Sequence, residues 1–154
     1  MNEPPPSTRN RIPYQRRGGK DIKTFRAILK GRNEVPPVRT IATGNAVFQL
    51  NRTGDKLFFR LVIRNINRVT QAHIHLGQKG VNGPVVAFLF GPSKFGISVK
   101  RGVIRGTLTR NDLVGPLQGK TIRDLVRELE RGNAYVNVHT IQNPDGEIRG
   151  QIFS

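Results

Sequence analysis

The residues of this chain best suited to chemistry are its three histidines, His73, His75 and His139. A neutral imidazole offers a bare ring nitrogen as a metal ligand or proton acceptor, and it titrates near physiological pH. His73 and His75 form an H-x-H pair. On a strand both rings project from one face, about 7 Å apart at the backbone, close enough to share an ion. A third imidazole from another strand would complete a three-nitrogen set, the composition that zinc and copper favour. Glu147 and Gln151 are candidates to hydrogen-bond a ligating ring and orient it. The competing reading is that all three rings make ordinary hydrogen bonds on a polar sheet face, and H-x-H spacing alone does not separate the two.

Other chemistries find little support. The chain has no Cys, so no thiolate serves as nucleophile or ligand and no disulfide staples the fold. A serine nucleophile setting of the G-x-S-x-G kind is absent. The glycine-rich stretch from Gly77 to Gly83 has neither Walker nor dinucleotide spacing and does not open a helix. Asp124, Glu128 and Glu130 fall on the exposed side of a predicted helix. Asp145 is accounted for by turn chemistry. The histidine site therefore carries no catalytic residue set with it.

The elements that must position these rings are short strands. Phe25, Ala27 and Leu29 alternate as one strand, and Ala46, Phe48 and Leu50 as the next. Asn51 to Asp55 reads as a turn. Leu57, Phe59, Leu61 and Ile63 then share the inward face of a strand whose other face carries Phe58, Arg60, Val62 and Arg64. Ala72 to Leu76, Pro84 to Phe90 and Val103 to Thr109 read as three further strands. Ala72, Ile74 and Leu76 point inward, so His73 and His75 go to the outer face. One helix is expected over about 121–131, with Thr121 as N-cap, Asp124 completing a capping box and Gly132 as the stop. Its apolar stripe is Ile122, Leu125, Val126 and Leu129.

Asn143, Pro144, Asp145 and Gly146 suit a type I turn with Gly146 in the left-handed position. A three-residue loop with Asn143 facing Glu147 pairs Val138 with Ile152 and Thr140 with Gly150. Val136, Val138, Ile148 and Ile152 then share the inner face. Tyr135, Asn137 and His139 share the outer face with Glu147, Arg149 and Gln151. All three histidines are thus expected on outer, solvent-accessible faces. Regular short strands with one helix argue for an all-β sandwich or Greek-key barrel.

Charge sets the chain apart. Its 154 residues carry 26 Lys and Arg against 10 Asp and Glu, a formal net charge of +16. Residues 1–20 are rich in Pro, Arg, Asn and Gly and hold +4 of that charge, so +12 falls on the rest. Such a segment buries too little apolar surface to offset its ordering entropy, and it reads as a disordered basic arm ahead of a domain over 21–154. The field of the whole chain concentrates acidic macromolecules, whether polyanionic polymer or acidic protein. Specific nucleic-acid recognition is disfavoured, because no base-reading motif accompanies the charge. No apolar run reaches transmembrane length, and residues 1–20 lack the apolar stretch of a secretory signal.

Several segments together resemble a known family. They are Phe25-Arg-Ala-Ile-Leu-Lys-Gly31, Asn33-Glu-Val-Pro-Pro-Val38, Val69-Thr-Gln-Ala-His-Ile-His-Leu-Gly77 and Asn82-Gly-Pro-Val-Val86, followed by Gly132-Asn-Ala-Tyr-Val-Asn-Val-His-Thr140 and Asn143-Pro-Asp-Gly-Glu-Ile-Arg-Gly-Gln151. In this order they resemble the CHRD domain named after chordin, over roughly residues 23–154, in the manner of a bacterial-type single-domain member. The resemblance implies an immunoglobulin-like or superoxide-dismutase-like Greek-key β-sandwich. It implies no settled catalytic activity, so the function expected is a non-enzymatic binding or structural module. In chordin such domains belong to an extracellular antagonist of growth factors. Relatives are mostly exported, so the cell or spore surface, for example a spore-coat layer, is the expected location, with the absent signal and the basic arm as departures. The alternative is a copper- or zinc-binding protein, redox-active by analogy with dismutases, which use more histidines than this chain has. Glu34-Val-Pro-Pro37 reads as a stiff connection between the first two strands, and exposed strand edges make a homo-oligomer reasonable.

Overall fold

A computed structural model describes residues 23–154. The basic arm expected over 1–20 lies outside the described residues. Seven strands and one α-helix follow in the order β1 (Thr24–Lys30), β2 (Thr43–Leu50), β3 (Leu57–Leu76), β4 (Val85–Phe90), β5 (Ile97–Leu108), α1 (Ile122–Glu130), β6 (Ala134–Thr140) and β7 (Ile148–Phe153). Among the described residues the fold is all-β with one short α-helix, as the strand-length patterns predict.

Every pairing is antiparallel, and five strands close a ring. β1 pairs with β2, β2 with the first half of β3, the second half of β3 with β6, β6 with β7, and β7 with β1. β5 lies along the first half of β3, and β4 along the second half. The result is a barrel with two added strands. β3 is the shared spine, and the two strands expected at Leu57 and Ala72 prove to be this one 20-residue element. The reason lies at Asn65 and Arg68, which take positive φ of 53° and 54°. Each left-handed residue moves the inward parity by one position, and a bulge between Val69 and Gln71 moves it a third time. Inward residues run Leu57, Phe59, Leu61 and Ile63, then Ile66, then Val69, then Ala72 and Ile74. A period-2 reading breaks there, although the backbone ladder continues.

The barrel interior is filled by Phe25, Phe48, Leu57, Leu61, Ile74, Val136, Val138 and Ile148, all at most 1% exposed. Ile122, Leu125, Val126 and Leu129 of α1 join the same core. The helix starts as its sequence predicts. Asp124 N–H donates to Thr121 Oγ1 at 3.2 Å, and Thr121 N–H donates to Asp124 Oδ2 at 2.9 Å. No helix among the described residues is long and apolar enough to cross a membrane.

The C-terminal hairpin corrects the expected register. Val138 pairs with Ile148, not Ile152, and Val136 pairs with Gly150. The loop is therefore long, and it is organised from inside by Glu147. That carboxylate accepts from Thr40 Oγ1, Thr140 Oγ1, Gln142 Nε2 and Asn143 Nδ2 at 2.7–3.1 Å. The shift is four residues, an even number, so the division into inner and outer faces survives it. Gly146 does take a positive φ, of 123°.

Candidate metal centre

The outer face of β3, β6 and β7 forms a grid of polar side chains. Gln71 lies beside His139, His73 beside Asn137 with Arg149 next along the row, and His75 beside Tyr135 with Gln151 next along the row. Strand parity puts each histidine on the outer face, and the pairing of β6 with the second half of β3 brings the three together. His73 and His139 ring centroids are 4.7 Å apart, His73 and His75 5.4 Å, and His75 and His139 6.0 Å. One nitrogen from each ring can be chosen so that all three lie within 4.8 Å of one another.

The expected solvent accessibility is overturned. His73 is 4% exposed, His75 8% and His139 8%. Two loops roof the outer face. The segment between β3 and β4 places Gly83 over His75, and the β6–β7 loop places Pro144 over His139. Arg149, expected on an open face, is 1% exposed and ties the first loop down. Its guanidinium donates to Asn82 Oδ1 at 2.9 Å and to the carbonyls of Gln78 and Val81 at 3.3 and 2.7 Å. It also packs 3.5 Å from the centre of the Tyr135 ring, which stacks on His75 with centroids 4.8 Å apart.

These roofs orient the rings. His75 Nδ1–H donates to Gly83 O at 2.8 Å, and His139 Nδ1–H donates to Pro144 O at 2.8 Å. Carbonyls only accept, so both rings carry their proton on Nδ1 and leave Nε2 bare. His75 Nε2 is buried with no hydrogen-bond partner. His139 Nε2 lies 3.1 Å from His73 Nδ1 and 3.0 Å from Asn137 Oδ1. The far nitrogen of His73, Nε2, is 3.0 Å from Gln71 Oε1.

Burial disfavours the charged imidazolium, and it pushes His73 down to about 3, with the neighbouring His139 and His75 adding to the shift. Burial also lowers His75 and His139, against the carbonyl hydrogen bonds from Gly83 and Pro144 that favour their protonation. At neutral pH all three rings are uncharged, the form that ligates a metal.

Glu147 and Gln151, the residues expected to orient the rings, do not touch them. Glu147 is spent on its own loop. Its burial raises its pKa, but the hydroxyl and amide donors around it hold the carboxyl below its usual range. Gln151 Nε2 donates to the carbonyls of Gly77 and Gly132 at 2.8 and 2.9 Å. The polar groups that lie against the rings are instead Gln71 Oε1, Asn137 Oδ1 and two backbone carbonyls. Alternation puts Asn137 on the histidine face, and the same parity extended two residues back from His73 would have reached Gln71. The carbonyls left no such signal, because they belong to loops.

Glu34 was read as part of a stiff connection and is more than that. It is 5% exposed, and its Oε2 has no hydrogen-bond partner. A Cβ on Gly146 would fall 2.5 Å from Glu34 Oε2 and 2.7 Å from Asn137 Nδ2, so the turn glycine is needed for space as well as for its φ. Burial pushes the Glu34 carboxyl up to about 7, against the lowering effects of Arg149 and of a hydrogen bond with Asn137.

Comparison with known proteins follows the motifs. The family model described as the CHRD domain matches residues 25–152. Chordin of Xenopus laevis is 29% identical over 132 residues, which cover 80% of this chain and 12% of that protein. The chain thus spans about an eighth of the length of the curated relative it matches. No solved structure matches it.

Proposed function

The chain belongs to the CHRD domain family, and on that premise we propose that it is a non-enzymatic binding module which holds one divalent transition ion, copper or zinc, on His73, His75 and His139. The observation that carries the reading is the direction of the lone pairs. Gly83 O and Pro144 O take the Nδ1 protons of His75 and His139, and both bare Nε2 atoms are left in the buried space that His73 Nδ1 also faces. Bare nitrogens gathered without donors repel one another and lack hydrogen bonds, as the unpartnered His75 Nε2 illustrates. A cation relieves both costs at once. Three nitrogens bound at about 2.0–2.1 Å to one tetrahedral ion lie roughly 3.3 Å apart. His73 and His139 are already near that spacing at 3.1 Å, and His75, within 4.8 Å of both, needs a shift of at most about 1.5 Å.

The finer parts of the reading rest on the same features. The split of β3 between two pairing sets supports a dismutase-like or immunoglobulin-like arrangement of facing half-sheets. The net charge of +16 supports an acidic macromolecule as the partner of the outer surface. No nucleophile or acid–base pair stands at the histidine cluster, which is why binding rather than catalysis is proposed.

Titration calorimetry of protein purified without a histidine tag tests the metal directly. Zinc or copper should bind with one-to-one stoichiometry at pH 7.5 and release protons, and affinity should fall as the pH drops below the histidine range. His75→Ala should abolish tight binding. Because the ring is buried under Tyr135, this change should also lower stability by about 2 kcal/mol, so circular dichroism must accompany it. Absence of binding heat for either ion in the folded parent would sink the proposal and leave the cluster as a hydrogen-bonded core.

A further inference from the structure

The outer face of β1, β2, the first half of β3 and β5 differs from the histidine face in every respect. Register lays its side chains out in rows across the four strands. One row runs Arg26, Val47, Arg60, Arg105, and another runs Lys30, Thr43, Arg64, Arg101. Arg60 is directly opposite Arg105, and Arg64 directly opposite Arg101. Like charges facing each other across a ladder are unfavourable, so folding does not account for them. No Asp or Glu stands at an outward position of these strands. The ion pairs among the described residues join Lys23 to Glu130, Arg127 to Asp124 and Arg131 to Glu128, and none uses this face.

Apolar side chains lie between and beside the cationic rows. Ile28 is 56% exposed, Phe58 44% and Val103 40%. The two rows are about 13 Å apart along the strands, and between them the exposed side chains of Ile28, Asn45 and Val103 flank a buried Val62. Five of the six cations are arginines, whose planar fork suits phosphate oxygens.

We infer that this face binds single-stranded nucleic acid without sequence preference, the phosphates along an arginine row and the bases on Phe58 and the exposed Ile28 and Val103. This deepens the acidic-partner part of the reading above and is independent of the metal. A duplex fits poorly, because a sheet face presents no element to enter a groove. Acidic protein or polysaccharide would use the arginines and leave the exposed apolar groups idle. Single strands use both, since phosphates meet the cations and any base has a stacking face.

The test is fluorescence anisotropy on the full chain with a labelled oligothymidylate, and with polyglutamate as competitor. Replacing Arg60, Arg64, Arg101 and Arg105 by Gln should weaken oligothymidylate binding at least tenfold and reduce the log–log salt slope by about 3, from roughly 0.7 per phosphate contact. A control with Arg39, Lys79, Lys94 and Lys120 changed to Gln removes the same charge from other surfaces and should weaken binding far less. Phe58→Ala should weaken oligothymidylate several-fold and leave polyglutamate unchanged. The melting temperature of the variant lacking the four face arginines should be at or above that of the parent, and circular dichroism must show that Phe58→Ala is folded at the assay temperature. Equal loss in the two fourfold variants would mean that net charge, not this face, binds. An inert Phe58→Ala with a strong arginine effect would identify an acidic protein or polysaccharide as the occupant instead. A parent that binds no polyanion at all would overturn the acidic-partner reading together with the face.

Discussion

β3 runs through both outer faces, and its two halves meet opposite fates. In the first half Phe58, Arg60 and Arg64 point outward and are exposed. In the second half, after the parity has shifted, His73 and His75 also point outward but are buried. The difference is the covering. Gly83 and Pro144 bring two loops down over the second half, and Arg149 holds one of them through three oxygen acceptors. The comparison shows what a roof demands. Beneath it each polar atom needs a partner, and those left without one, His75 Nε2 and Glu34 Oε2, become the informative ones. In the open, arginines can face arginines because water solvates them.

The largest expected effect tests the roof. Arg149→Ala strands the acceptors on Asn82, Gln78 and Val81 and removes the packing against Tyr135, so it should lower unfolding stability by about 3 kcal/mol or more in urea titration. A loss below about 1 kcal/mol would mean that Arg149 does not hold the loop, and the contrast between the two halves of β3 would lose its cause.

The next effect is pH dependence. Each histidine is held below its unfolded pKa, so the unfolded chain takes up protons first and stability falls as pH drops from 6.5 toward the folded values. For His73, at about 3 when folded, the loss by pH 4 is about 3 kcal/mol. Glu34 runs the other way. Its folded pKa of about 7 exceeds the unfolded value, so its contribution rises as pH falls from 7 to 4.5. Glu34 therefore offsets about one of the three histidines, and the stability of the metal-free parent should fall less steeply between pH 7 and 4.5 than the histidines alone would make it. Glu34→Gln should steepen the decline on acidification, measured by urea titration at each pH. An unchanged profile in that variant would show that Glu34 does not keep its proton in the fold.

The smallest effect belongs to the open face. Arg64→Ala should stay within about 0.5 kcal/mol of the parent by thermal melting at low salt, with any change toward greater stability because Arg101 loses a like-charged neighbour. A loss above about 1 kcal/mol would reveal a structural contact and remove the contrast with Arg149.

Much of this architecture is readable from local pattern. Period-2 alternation placed Phe25, Ala27 and Leu29, and Ala46, Phe48 and Leu50, on buried faces, and all are buried. Thr121, Asp124 and Gly132 marked the helix because capping is a short-range hydrogen-bond matter. The continuity of β3 was hidden, since Asn65 and Arg68 adopt a left-handed conformation for which Arg68 gives no local cue. The hairpin register was misjudged by four residues because Glu147 organises its loop through Thr40, far away in sequence.

By itself the sequence determined the charge, the family and the face on which each histidine stands, because composition, motif order and side-chain alternation are properties of the chain alone. The tertiary structure decided that β6 lies beside the second half of β3, which turns three separate outward histidines into one cluster. It also decided that loops roof that cluster and leave the arginine face open. Neither could be read in advance, because which strands become neighbours and which loops fold over them depends on closing the barrel, and a sum of contacts between distant segments leaves no local trace.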